Sequence, residues 1–90
     1  MVYITAIRIP SGSNMHEHIT AVHWRNPQSG EANACSREQM IDWIDNQNGD
    51  ARVQSPYGDV KVDVVRTNPP YLRTIANGRH TDNLLSLPRF

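Results

Sequence analysis

Ninety residues with a mean hydropathy of −0.60 and nine basic against nine acidic side chains describe one small globule. A chain of this length buries only about 60 to 65% of its unfolded surface, too little to divide between two cores. The composition excludes long-range attraction to a phosphate polymer or an anionic bilayer, no apolar run is long enough to cross a membrane, and the single cysteine, Cys35, excludes an intrachain disulfide and a multi-thiolate zinc site. The start, MVYITAIRIP, lacks the order of a signal peptide, so a cytoplasmic location is expected.

Taken along the chain, Tyr3 to Ile9 is rich in strand formers and stops at a turn cluster, Pro10 to Asn14. His18 to Arg25 is a second β-branched and aromatic run, ended by Asn26-Pro27, and the two form an antiparallel hairpin in their simplest arrangement. Residues 26 to 34 read as a loop with room for a short extended piece. Ser36, followed three residues later by Gln39, is a capping box, with Cys35 and Met40 at the two positions of a hydrophobic staple. From Arg37 onward Met40, Ile41, Trp43 and Ile44 share one side of a helix, which ends at Asn46 to Gly49.

Ala51 to Gln54 reads as a short strand and residues 55 to 59 as a turn. Val60, Val62 and Val64 then alternate with Lys61 and Asp63, the pattern of a strand with one face buried and one wet. Asn68, Pro69 and Pro70 break it, and Tyr71 to Ala76 resumes as a strand. Asn77-Gly78 suits a tight hairpin turn, and Thr81 or Asp82 is placed to cap a helical turn over Asn83 to Leu87. The expected fold is a single α+β domain over residues 1–90. Its elements run β-β-α-β-β-β, giving an antiparallel sheet of four to five strands with one helix packed on one face.

Charge is unevenly distributed. Residues 31 to 63 carry seven acidic and three basic side chains, whereas residues 66 to 90 carry four arginines and only Asp82. Eight of the nine cations are arginine, whose planar fork of donors fits carboxylates and phosphates. On a strand, Tyr71 and Arg73 share a face and present a ring beside a guanidinium. A base can stack on Tyr71, a phosphate can take Arg73 or Arg66, and Thr74, Asp82 or Asn83 can bond a ribose or a base edge. The competing reading is structural: Arg73 pairs with Asp82, Asp82 caps the last turn and Asn83 satisfies a loop backbone.

Trp24 with Arg25 forms a second candidate, an interface anchor, with burial of Trp24 beneath the helix as its alternative; Trp43 is assigned to the core. His16 and His18 would share a strand face but have no further ligand, so no metal site is assigned. Cys35 at a helix start is read as a staple residue and Ser36 as a cap, and no nucleophile-base arrangement is recognised, so neither an enzyme nor a cofactor is expected. Neutral charge and an acidic helix surface, with Glu38, Asp42 and Asp45 outward, argue against double-stranded DNA.

Several blocks together resemble the small bacterial and phage proteins grouped as domain of unknown function 3892. They are ITAIR at 4 to 8, HEHITAVHW at 16 to 24, SREQMIDWI at 36 to 44, GDVKVDVV at 58 to 65, YLRT at 71 to 74 and TDNLLSLPRF at 81 to 90. The resemblance covers nearly the whole chain and implies a small domain found in mobile or phage-related contexts, without implying an activity. The expectation is a non-enzymatic binding domain that captures an anionic or nucleotide-like ligand, in a sequestering or inhibitory role. The alternative is an interaction module, meeting a host protein or a further copy of itself through a sheet edge or an aromatic patch.

Overall fold

The computed structural model describes all 90 residues. The capping box forms in full: the Ser36 hydroxyl accepts from the Gln39 N–H at 3.1 Å, and the Ser36 N–H donates to Gln39 Oε1 at 2.9 Å. It starts helix α1, Arg37–Asn46, directly at the end of a strand. The strands are β1 (Val2–Arg8), β2 (Ala21–Arg25), β3 (Ala32–Ser36), β4 (Ala51–Ser55), β5 (Gly58–Val65), β6 (Tyr71–Ala76) and β7 (Arg79–Thr81). They make one sheet in the order β3-β2-β1-β4-β5-β6-β7.

Three expectations are corrected here. The sheet has seven strands rather than four to five, the additions being β3 and β7, and it is mixed rather than antiparallel, because β1 and β4 run parallel. The helix is the cause of the second difference. Two antiparallel steps from β1 through β2 leave β3 running the same way as β1. A helix then carries the chain back, so the next strand repeats that direction, and β4 settles on the far side of β1 as a parallel neighbour. His18 to Thr20 also lies outside the second strand. His16–His18 forms one 3-10 turn, with the His18 and Ile19 N–H groups bonded to the Met15 and His16 carbonyls, and this turn delivers Ile19 into the core.

Only Val2 and Tyr3 of β1 pair with β4. An irregularity between Ile4 and Ala6 bends β1 away, and the C-terminal segment takes the vacated edge. The Ile7 N–H donates to the Pro88 carbonyl at 2.9 Å, and the Phe90 N–H to the Ile7 carbonyl at 3.1 Å. The buried cluster joins Val2, Ile4 and Ile7 of β1 to Val22, Val53, Val62, Val64 and Leu72 of other strands. Met40 and Ile41 of α1, and Ile19 and Leu84 of the two 3-10 turns, belong to the same cluster. The Asn77-Gly78 turn forms with both residues at positive φ, 53° and 75°, closing the β6–β7 hairpin with Ala76 opposite Arg79. No helix is long and apolar enough to cross a membrane.

Candidate functional site

Residues of α1 and of the first three strands line a groove of about 350 Å³. Its apolar lining comes from Val2 of β1, Trp24 of β2, Cys35 of β3, and Met40 and Trp43 of α1. Asn26, Glu31 and Gln39 supply the polar rim. Trp24 alternates with His23 and Arg25, which puts its ring on the same face as buried Val22, while Trp43 reaches the groove from the C-terminal half of α1. Both tryptophans are half-buried and pack against the core cluster. No indole N–H is sealed from solvent without a partner. Burial pushes the Cys35 thiol up from its ordinary pKa, which keeps it protonated and apolar in its lining role.

The groove opens beside the free edge of β3. The Arg37 N–H bonds the Thr20 carbonyl and the Asn26 N–H bonds the Glu31 carbonyl, which sets the alternation of the β2–β3 ladder. Asn33 and Cys35 therefore face β2, while Ala32, Ala34 and Ser36 turn their main-chain groups away from the sheet. The Asn33 side chain covers the Ala34 N–H at 2.8 Å, and Gln39 covers that of Ser36. Both main-chain groups of Ala32 and the carbonyl of Ala34 are left facing out. This edge bears small, exposed side chains and none of the lysines, prolines or bulges that blunt exposed edges.

The polar residues singled out at the C-terminal end are dispersed or engaged with one another. Arg66 forms a two-pronged pair with Asp45 of α1, both contacts at 2.9 Å, and their mutual hydrogen bonds lower the Asp45 pKa and raise that of Arg66. Arg73 donates to the Thr81 carbonyl at 3.3 Å and to Asp82 Oδ1 at 3.0 Å. Thr74 is fully buried: its hydroxyl lies 2.6 Å from that of Thr81, which donates in turn to Asn83 Oδ1 at 2.6 Å. Tyr71 sits half-buried opposite Val65. Thus Arg73, Thr74, Asp82 and Asn83 do come together around β7, whereas Arg66 turns toward the helix and away from them. Asp82 and Asn83 give no side-chain cap to the Leu84–Ser86 turn.

One residue joins this cluster without having been expected there. His16 is buried, its Nε2 has no hydrogen-bond partner, and it lies 3.8 Å from the Asp82 oxygen that Arg73 also holds. Burial first, and the Arg73 charge second, push its pKa below the ordinary histidine value, against the pull of Asp82 and Glu17. His18, two residues on, is exposed and meets Ser13 at 2.6 Å, so the two imidazoles do not share a strand face. Trp43, Glu31 and the β3 edge were also missed as site components. Nothing local in the sequence marks them, since the groove joins positions on three strands and a helix.

Fold and groove together define a small α+β domain with a mixed seven-stranded sheet, one helix and an apolar cleft beside an unpaired edge. The chain belongs to the family of proteins of unknown function DUF3892, whose sequence profile matches residues 3–88. Neither a curated protein nor a solved structure shows significant similarity to it.

Proposed function

We propose that the protein is a non-enzymatic peptide-binding module. An extended segment of a partner protein adds to the sheet as a strand beside β3 and sets a large apolar side chain between Trp24 and Trp43. The supporting observation is the coincidence of an unprotected edge with an apolar groove that shares Cys35 and Glu31 with that edge. Main-chain bonds to Ala32 and Ala34 supply register and affinity, and the groove supplies specificity, because alternate side chains of an added strand point to the same face. Glu31 stands on the rim and takes part in none of the ion pairs of the fold, so a basic residue near the apolar anchor completes the match.

Capture of an anion or nucleotide at Tyr71, Arg73, Thr74, Asp82, Asn83 and Arg66 is the weaker reading. It requires Arg73 and Arg66 to leave the carboxylates they already hold, and a ligand would have to replace both pairs. A role for Trp24 in an interface is retained in the leading reading, whereas Arg25 lies on the opposite face of the sheet.

The test is selection of binders from a displayed library of random linear peptides, followed by binding to the Ala32→Pro variant. That substitution removes an N–H that faces the edge and leaves the β2 ladder intact. The expected outcome is a shared pattern of one large apolar and one basic residue, affinity lowered at least about tenfold in Ala32→Pro, and shifted tryptophan indole N–H resonances on binding. Binders with no shared pattern, or with equal affinity for the variant, would refute the assignment. Association of two copies through β3 would appear as a concentration-dependent mass in light scattering, and would replace the foreign peptide with a second copy of the chain.

A further inference from the structure

The face of the sheet opposite the groove carries a separate set of groups. Tyr3, Thr5 and Arg8 alternate with the buried residues of β1, and His23 and Arg25 with those of β2, so all five stand on the uncovered side. They form a row. The Arg25 guanidinium lies over the Tyr3 ring at 5.7 Å, the Thr5 hydroxyl meets His23 Nδ1 at 3.2 Å, and the His23 ring meets Phe90 edge-on at 5.9 Å. Beyond it the Arg8 guanidinium lies over the Phe90 ring at 4.6 Å. The C-terminal segment thus places a third aromatic ring on this face by pairing with β1, and Phe90 remains 39% exposed.

From these groups we infer that the outer face of β1 and β2 binds single-stranded nucleic acid, with bases stacked on Tyr3, His23 and Phe90 and phosphates held by Arg8 and Arg25. Neither arginine is paired with a carboxylate side chain, unlike Arg37, Arg52, Arg66 and Arg73. Arg8 donates only its Nε–H, to the main-chain oxygen of Phe90 at 3.2 Å, and keeps its terminal amino groups. The Asp59 carboxylate on this face accepts from the Tyr3 hydroxyl at 2.8 Å and lies 3.7 Å from Arg52. Aromatic rings with arginine planes against them suit any base, because every base has a π-face. Tyr3 to Arg8 spans about 17 Å at the usual rise of a strand, enough for a short run of nucleotides. A duplex offers no bases to such a face, so the selectivity is for single strands.

The experiment is fluorescence anisotropy of labelled twelve-residue oligothymidine and oligouridine, with thymidine monophosphate and a duplex of equal length alongside, all against the full chain at ~20 mM salt. The expected result is micromolar binding of a single strand, with the duplex and the mononucleotide at least tenfold weaker. A slope of about −1.4 in log affinity against log salt corresponds to two neutralised phosphates. Tyr3→Leu is expected to weaken binding about tenfold and leave the slope unchanged, while the Arg8→Gln/Arg25→Gln double variant flattens it. Preference for the ribose or the deoxyribose strand identifies the natural class. Absence of binding at ~100 µM protein in low salt, equal affinity for the duplex, or an equal loss in an Arg37→Gln/Arg79→Gln control would overturn the inference. Melting curves of each variant separate lost contacts from lost folding. Failure here leaves the peptide groove untouched, because the two sites lie on opposite faces.

Discussion

Replacing Gly49 by alanine tests the packing that shapes the groove. A Cβ built there would stand 2.2, 2.3 and 2.6 Å from Cε3, Cδ2 and Cζ3 of the Trp43 ring, against the 3.5 to 4.0 Å of an ordinary carbon contact. The ring must therefore withdraw by more than about 1 Å, and it is a stiff group packed against the core rather than the free end of a long chain. Overpacking of this kind costs about 1–3 kcal/mol. The backbone at Gly49 lies outside the positive-φ region, so alanine regains about 0.4–1 kcal/mol by restricting the unfolded chain. The steric cost wins, with a net destabilisation of about 1–2 kcal/mol, which lowers the melting temperature by roughly 4–16 °C in a chain of this size. The assay is thermal unfolding of four proteins: the parent, Gly49→Ala, Trp43→Leu and the double variant. Because leucine at 43 makes room for the new methyl group, the cost of Gly49→Ala should largely vanish in that background. An unchanged or raised melting temperature in Gly49→Ala, or the same cost with leucine at 43, would refute the reasoning.

Acid should weaken the fold through His16. Its folded-state pKa is depressed, so the unfolded chain binds more protons in the window below about 6.5; the contribution is complete above that value and is lost as pH falls toward the folded pKa. The groups that face it are Arg73 of β6, His80 of β7, Asp82, and Glu17 of its own turn. Urea titrations from neutral to acidic pH should show a shallower loss of stability in His16→Gln than in the parent, and parallel profiles would remove His16 from the account. Thr74→Val keeps the shape of a fully buried side chain and deletes the hydroxyl that meets Thr81 at 2.6 Å. It should destabilise by about 0.5–1.5 kcal/mol in the same titration, and a neutral or stabilising result would show that the Thr74, Thr81 and Asn83 chain contributes nothing.

Parts of the molecule whose structure rests on neighbours in the chain could be read directly. The capping box at Ser36, the Asn77-Gly78 turn and the alternating valines of β5 each depend on side chains or dihedral preferences within a few residues. The β1–β2 pairing was accessible as the simplest arrangement of two consecutive strand-like runs, although the connection, Ile9 to Thr20, is long for a hairpin and holds a 3-10 turn. By contrast, Ala32–Ser36 has small residues and no strand-like pattern, and it is a strand because β2 offers a ladder. His18 to Thr20 has the composition of a strand, but His18 closes the His16–His18 3-10 turn and Ile19 leaves it to enter the core, so β2 begins only at Ala21.

The candidate site divides along the same line. The Arg73 pair with Asp82 could be anticipated from nine residues of separation across a hairpin, and Trp24 could be named as a candidate anchor from its residue type. The groove could not, because Trp24 and Trp43 meet only after the helix has crossed from β3 to β4. Nor could the row formed by Tyr3, Arg25, His23, Phe90 and Arg8, which exists because the last residues of the chain fill the edge that β4 leaves open on β1. By itself the sequence determined the helix with its Ser36 cap, five of the seven strands, the Asn77-Gly78 turn and the α+β class. The tertiary structure alone decided the parallel step, the free edge and the grouping of distant side chains, since those depend on which surfaces remain to be paired and covered once the local pieces have formed.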